Sequence, residues 1–123
     1  MLLAAVLMVV VIIKRARRRL NGAATKRIRS MIEHADRAGE PVLRVLEYDK
    51  VLDHLLLELG FTGTTGQKMI KGAARFSNKQ ALWKCHKLRN LVAHEHGATV
   101  SASEADHFKR VLEKALLEVS SRS

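Results

Sequence analysis

Arg89, Asn90 and His94 lie within six residues of one another in the run Lys87-Leu-Arg-Asn-Leu-Val-Ala-His-Glu-His96. A guanidinium, an amide and an imidazole can together bind an anionic group and move a proton beside it, provided they meet in one pocket. On a helix, Asn90 and His94 are four residues apart and share a face. Arg89 lies about 140° around from His94 and must use its long side chain to reach the same place. His96, two residues further on, is an additional candidate. The stretch from Leu59 to His94 contains no acidic residue and carries Lys68, Lys71, Arg75, Lys79, Lys84, Lys87 and Arg89, cations able to hold a phosphate backbone.

A duller reading accounts for the same residues. Arg89 and Asn90 near the end of a buried helix would satisfy neighbouring carbonyls or carboxylates such as Asp49 and Asp53, and His94 would cap that helix beside Gly97. Spacing alone does not decide, because Arg29-Ser-Met-Ile-Glu-His34 has a similar form. Arg89 differs from Arg29 in being followed by asparagine and in lying inside the acid-free stretch. No metal site is expected, since His86 and His94 stand roughly 12 Å apart along a helix and His94-Glu-His96 lacks the i, i+4 spacing. No cofactor is expected either. Cys85 is the single cysteine and falls beside Leu82, Leu88 and Val92, as a packed thiol would. Trp83 is expected to pack rather than to stack on a base. The glycines of Phe61-Thr-Gly-Thr-Thr-Gly66 form a connector, because a phosphate loop would need a Gly-Lys-Ser/Thr ending and a preceding strand.

The elements that would position these residues are helices. One proline, 4% aromatic residues and long runs of Leu, Ala, Lys, Arg and Glu favour helix over strand. Thr25 to Ala38 places Ile28, Met31, Ile32 and Ala35 at helical spacing. Pro41 suits the first turn of a second helix, with Val42, Val45, Leu46, Leu52, Leu55, Leu56 and Leu59 as its stripe and Gly60 as its stop. Gln67 to Ala74 reads as a brief helix capped by Thr64 or Thr65. Ser77 with Gln80 has capping-box spacing and opens a helix toward Gly97, and Ser101 with Glu104 repeats the device before Phe108, Val111, Leu112, Ala115, Leu116 and Val119. Four or five helices with short loops predict an all-α, antiparallel bundle.

Charge divides the chain unevenly. Eight of the 22 basic residues precede the first acid, Glu33, and the other 14 face all 12 acids, so the net charge of +10 describes the N-terminus more than the folded part. Met1 to Ile13 contains no polar residue and is followed at once by Lys14, Arg15, Arg17, Arg18 and Arg19. This order is the reverse of a cleavable signal and predicts a retained single-pass anchor in a bacterial inner membrane, with the C-terminal part in the cytoplasm. The five cations would lie against anionic headgroups. Thirteen residues span roughly 20 Å of a hydrocarbon layer about 30 Å thick, so spanning needs snorkelling, thinning, a helix continuing to Leu20 or a start upstream of Met1. The expected organisation is an anchor with basic cluster over 1–20, a linker or short helix over 21–40, and a helical domain over 41–121.

Arg89-Asn-x-x-x-His94 resembles the R-N-x-x-x-H form of the R-x4-6-H motif of HEPN domains. Leu46-Glu-Tyr-Asp-Lys-Val-Leu-Asp-His-Leu-Leu-Leu-Glu-Leu-Gly60 is similar to the early helix of those domains that ends in glycine. The likeness covers roughly Pro41 to Val119. The run Leu82-Trp-Lys-Cys-His-Lys-Leu-Arg-Asn-Leu-Val-Ala-His-Glu95 also resembles small bacterial membrane proteins that read W-x-A-H-K-L-R-N-x-x-A-H-E, a likeness that implies no activity. The HEPN resemblance implies a homodimer and two functions. In the favoured one the domain is a non-catalytic module that binds RNA or a protein. In the other it is a metal-independent endoribonuclease of the toxin or defence type. There His94 would serve as general base or acid on the 2′-hydroxyl, Arg89 would steady charge on the phosphate, and Asn90 would orient one or the other. A structural, membrane-associated helical protein is the third reading.

Overall fold

The computed structural model describes residues 3–7 and 18–121. The described chain is all-α: α1 (Gly22–Asp36), α2 (Pro41–Glu58), α3 (Thr65–Gly72), a single 3-10 turn (Ala73–Arg75), α4 (Lys79–His94) and α5 (Ala102–Val119). Helix α2 is the hub, with α1, α3, α4 and α5 all packed against it. Its Val45, Tyr48, Leu52, Leu55 and Leu56 are fully buried and meet Ile28 of α1, Met69 of α3, Leu82 of α4 and Phe108 and Leu112 of α5 in one core. Each fully buried aliphatic side chain contributes about 1.5–3 kcal/mol relative to exposure, so these intersecting stripes hold the helices in register.

Local chemistry sets most of the boundaries. Asn21 caps α1, its side chain accepting from Ala24 N at 2.8 Å, three residues ahead of the expected start at Thr25. Pro41 occupies the first turn of α2 as read from sequence. Gly60 follows α2 at φ +97°, a conformation that favours glycine, and a Cβ there would lie 2.8 Å from the Arg18 guanidinium. Thr64 with Gln67 and Ser101 with Glu104 form complete capping boxes. Ser77 does not. Helix α4 starts at Lys79 behind an Asn78 that makes no side-chain cap bond, while Ser77 N and Oγ both donate to Glu118 of α5, at 3.1 and 2.6 Å. A charged acceptor 41 residues away outcompetes the local partner.

Two expectations about the N-terminal part are corrected. Among the described residues no helix is long and apolar enough to cross a membrane, and residues 3–7 form a helical stretch of five residues. The transmembrane anchor over 1–20 and the inner-membrane location are therefore withdrawn; residues 8–17, with Lys14, Arg15 and Arg17, lie outside the described part. The end of the supposed basic cluster has a different task. Arg19 Nη1 donates to the carbonyls of Glu118 and Ser120 at the C-terminus of α5, where a cation is favoured. The boundary at residue 41 is also moved. Helix α1 buries Ala24, Ile28, Ile32 and Ala35 in the common core, and Leu20 pairs with both Val119 and Ser121 through 2.8 Å backbone bonds, so the folded unit begins near Leu20.

The Ser77 clasp holds the Glu118 carboxyl below its ordinary range, with burial opposing the effect. A depressed acid contributes stability above its unfolded pKa and loses it as pH falls through the folded one. Stability should therefore drop in acid below about 4.5, the ordinary glutamate value. In Glu118→Gln, the deficit in the denaturant midpoint should be largest at neutral pH and shrink in acid. Parallel profiles for the two proteins would show that the clasp contributes no pH-dependent stability.

Candidate nucleic-acid interface

A buried acid fixes how α4 is turned. Asp49, in the middle of α2, is 4% exposed, and a carboxylate at that depth needs charged or hydrogen-bonding partners. It finds two on α4. Asp49 Oδ1 lies 2.9 Å from His86 Nδ1, and Asp49 Oδ2 lies 3.5 Å from Arg89 Nε. Arg89 Nη1 donates to Asn90 Oδ1 at 3.2 Å, which turns the amide nitrogen of Asn90 toward His86 Nε2, 3.4 Å away. That pattern selects one tautomer of His86, with Nδ1–H donating to Asp49 and Nε2 accepting from Asn90.

Arg89 and Asn90 are thus brought together as the sequence led us to expect, but with Asp49 and His86 rather than with His94. His94 is the last residue of α4 and His96 lies in the turn beyond it. Both are exposed, and neither makes a side-chain hydrogen bond among the described residues. The amide of Asn90 serves the histidine four residues before it, not the one four residues after. Within one chain, then, the Arg89, Asn90 and His94 trio is not assembled.

The predicted phosphate-binding cations also divide. Lys68 is buried, with Nζ 2.9 Å from Asp53, and belongs to the contact between α3 and α2. Thr65 donates to the same carboxylate at 2.7 Å; burial alone would raise the Asp53 pKa, but these two donors hold it below its usual value. Lys71 donates to Thr62 O, and half-buried Arg75 reaches the Arg18 carbonyl at 3.5 Å. Lys79, Lys84 and Lys87 remain exposed on α4 and unpaired with any described acid.

With Leu82, Cys85 and His86 turned inward, the opposite face presents Gln80, Lys84, Lys87, Leu91 and His94, spaced three or four residues apart as one stripe with Trp83 at its margin. Two concavities flank Lys84 and Lys87. One, of about 540 Å³, is lined by Gln80, Trp83 and the two lysines. The other, of about 570 Å³, opens between α4 and α5 over Cys85, Leu88 and Leu91. Glu104 lines this second groove, but its carboxylate is held by Ser101 in the capping box. Trp83 packs partly against the core as expected and is half-buried rather than enclosed, and its ring meets His86 edge-on at 6.3 Å between centroids.

Burial, with a contribution from Asp49, pushes the Cys85 thiol up to about 12. A thiol so far from ionising is no nucleophile. Among the described residues no group of three His, Cys, Asp or Glu side chains gathers where a metal ion would be held. The residue that sequence reasoning missed is His86, whose partner lies 37 positions away; the visible sign was an acid, Asp49, set four residues after Val45 and three before Leu52 in an apolar stripe. No protein-family model, curated protein or solved structure matches the chain.

Replacing the carboxylate by an amide leaves one neutral acceptor oxygen for two donors, buried His86 and half-buried Arg89, and turns an N–H toward one of them. Asp49→Asn should lower the unfolding free energy by about 1–3 kcal/mol, read from denaturant midpoints. An unchanged midpoint would show that α4 is oriented by apolar packing alone. Native Cys85 should resist a thiol reagent at pH 8 and react stoichiometrically once the chain is unfolded. Fast labelling of the folded protein would contradict its burial.

Proposed function

We propose that the chain is a HEPN-like, non-catalytic RNA-binding module that acts as a homodimer and meets RNA through the outward face of α4. One observation carries this reading: Lys79, Lys84 and Lys87 pair with no acid among the described residues and surround a half-buried Trp83, while Arg89 and Asn90 are engaged by Asp49 and His86. Exposed lysines on a helix without an acid bind a phosphate backbone by releasing its counterions. A guanidinium already committed to a buried carboxylate is poorly placed to steady charge on a scissile phosphate. The HEPN-like assignment rests on the helix that starts at Pro41 and ends before Gly60, and on the R-N-x-x-x-H run in a later helix.

The test uses the full chain and a labelled single-stranded RNA in EDTA, followed by anisotropy over a range of salt and by gel. Binding without cleavage is expected, weakening steeply as salt rises. The double variant Lys84→Glu with Lys87→Glu should lower affinity and flatten the logarithmic salt slope by roughly 0.7 for each phosphate that is no longer neutralised. Sedimentation should give twice the chain mass. Cleavage abolished by His94→Ala would replace this reading with the metal-independent endoribonuclease. Absence of binding would remove RNA and leave a protein-binding or structural module.

A further inference from the structure

We infer that Trp83 is a stacking platform for an unpaired nucleobase, with Gln80 facing the base edge and Lys84 and Lys87 holding the phosphates on either side. The inference rests on the RNA-binding reading above and sharpens it, from a charged surface to a subsite for one single-stranded nucleotide.

Four features of the site converge. First, Trp83 is neither buried nor free: one part packs on the core and the rest lines a concavity of about 540 Å³ together with Gln80, Lys84 and Lys87. That volume falls within the roughly 300–1,000 Å³ usual for small-ligand sites. An indole presented this way offers the flat apolar surface that any base will cover, whereas the stacked bases of a duplex are not available to it. Second, the polar neighbours are of the right kinds. Gln80, one turn before Trp83, carries both a donor and an acceptor for a base edge. Lys84 and Lys87 supply positive charge one and four residues beyond the ring. No carboxylate lines this concavity to repel a phosphate.

Third, the platform is braced. His86 meets the indole edge-on at 6.3 Å with planes 64° apart. It is pinned at both nitrogens, by Asp49 at 2.9 Å and by Asn90 at 3.4 Å, while Arg89 holds Asn90 and Asp49. A ring buttressed by a residue that cannot turn loses little freedom when a base covers it. Fourth, the Arg89-Asn90 pair thereby gains a role that needs no contact with RNA: both are positioning residues that act through His86.

Trp83 is the sole tryptophan, so the chain reports on its own site. Titrating the full chain with oligouridylate and oligoadenylate should quench the tryptophan emission in step with binding. Inorganic polyphosphate should bind through the lysines without comparable quenching, and fully paired RNA should behave like polyphosphate. Trp83→Ala should weaken single-strand binding about ten- to a hundred-fold, Trp83→Phe should restore much of the loss, and neither should alter the salt slope. Asn90→Ala, which removes one of the two contacts that pin His86, should reduce quenching at saturation more than it reduces the salt slope. Should Trp83→Ala fail to fold, the quenching of the unmodified chain and the Phe variant decide. RNA binding without quenching, equal quenching by polyphosphate, or full affinity in a folded Trp83→Ala would overturn the stacking subsite and leave the basic surface standing. Failure of every RNA to bind would instead overturn the function itself.

Discussion

The structure turns on one buried carboxylate. Asp49 lies in the central helix among side chains that are almost wholly excluded from water, and an ion placed there without partners would cost several kcal/mol. Among the described residues its partners come from α4 alone, through His86 and Arg89. Because a helix is rigid, drawing positions 86 and 89 toward α2 fixes the rotation of every other side chain on α4. Positions 82 and 85 follow them into the core. Positions 80, 84, 87, 91 and 94 are carried to the far side, with 83 at the margin, half in and half out. The composition of the outer face is thus tied to the Asp49 network and to Leu82 and Cys85 on the inner one.

The remaining polar contacts between helices serve the same framework. Tyr48 lies one residue before Asp49 on α2. Its hydroxyl donates to Asp36 of α1 and accepts from Arg44, which is itself paired with Asp106 of α5 at 2.7 Å. Burial, reinforced by the bond to Asp36, pushes the Tyr48 hydroxyl up to about 12, so it stays a donor throughout the physiological range. Asp36 also takes Lys109 of α5 at 2.9 Å; burial would raise its pKa, but the donors from Tyr48 and Lys109 outweigh it and hold the carboxyl below its usual value. Lys68 and Thr65 bind α3 to Asp53 in the same manner. Each of the four helices around α2 therefore has both an apolar seam and a directional polar contact tying it into the bundle. The polar contacts add little net stability but penalise every other register.

What could be read from the sequence follows the range of the interaction that decides it. Stripes, the proline start, the glycine stop and the Ser101 capping box depend on neighbours within one or two turns, and they appear in the structure where the spacing placed them. Ser77 departs because Glu118 competes from 41 positions away. Lys68 departs because a long charged side chain was read as exposed when its partner Asp53 lies one helix back. The candidate trio departs for the same reason. Arg89, Asn90 and His94 form a local pattern, whereas the pairing that organises them, Asp49 with His86, is tertiary and has no local mark except an acid inside an apolar stripe. The N-terminal arginines illustrate the converse error. A cluster that suggests a surface when read alone includes Arg19, which is bound to carbonyls about a hundred residues later.

Helix α4 is also the element that local rules treat worst. It begins without a side-chain cap, has no acid in its first turn, and sets Lys79 against the positive end of its own dipole. Lys84 and Lys87 then repel one another at i, i+3, with no carboxylate on the helix to relieve them. Helix α5, of similar length, has a full capping box and Glu104 in its first turn. Such defects cost α4 a few tenths of a kcal/mol to about 1 kcal/mol each, and its inward contacts through Leu82, Cys85 and the Asp49 network must offset them. Helix α2 likewise lacks a side-chain cap and a first-turn acid, but Pro41 presets its first turn; on α4 the conflict gathers on one exposed face, as expected if that face meets the polyanion proposed above. The same lysines that weaken the free helix would have their repulsion relieved when a phosphate backbone lies across them.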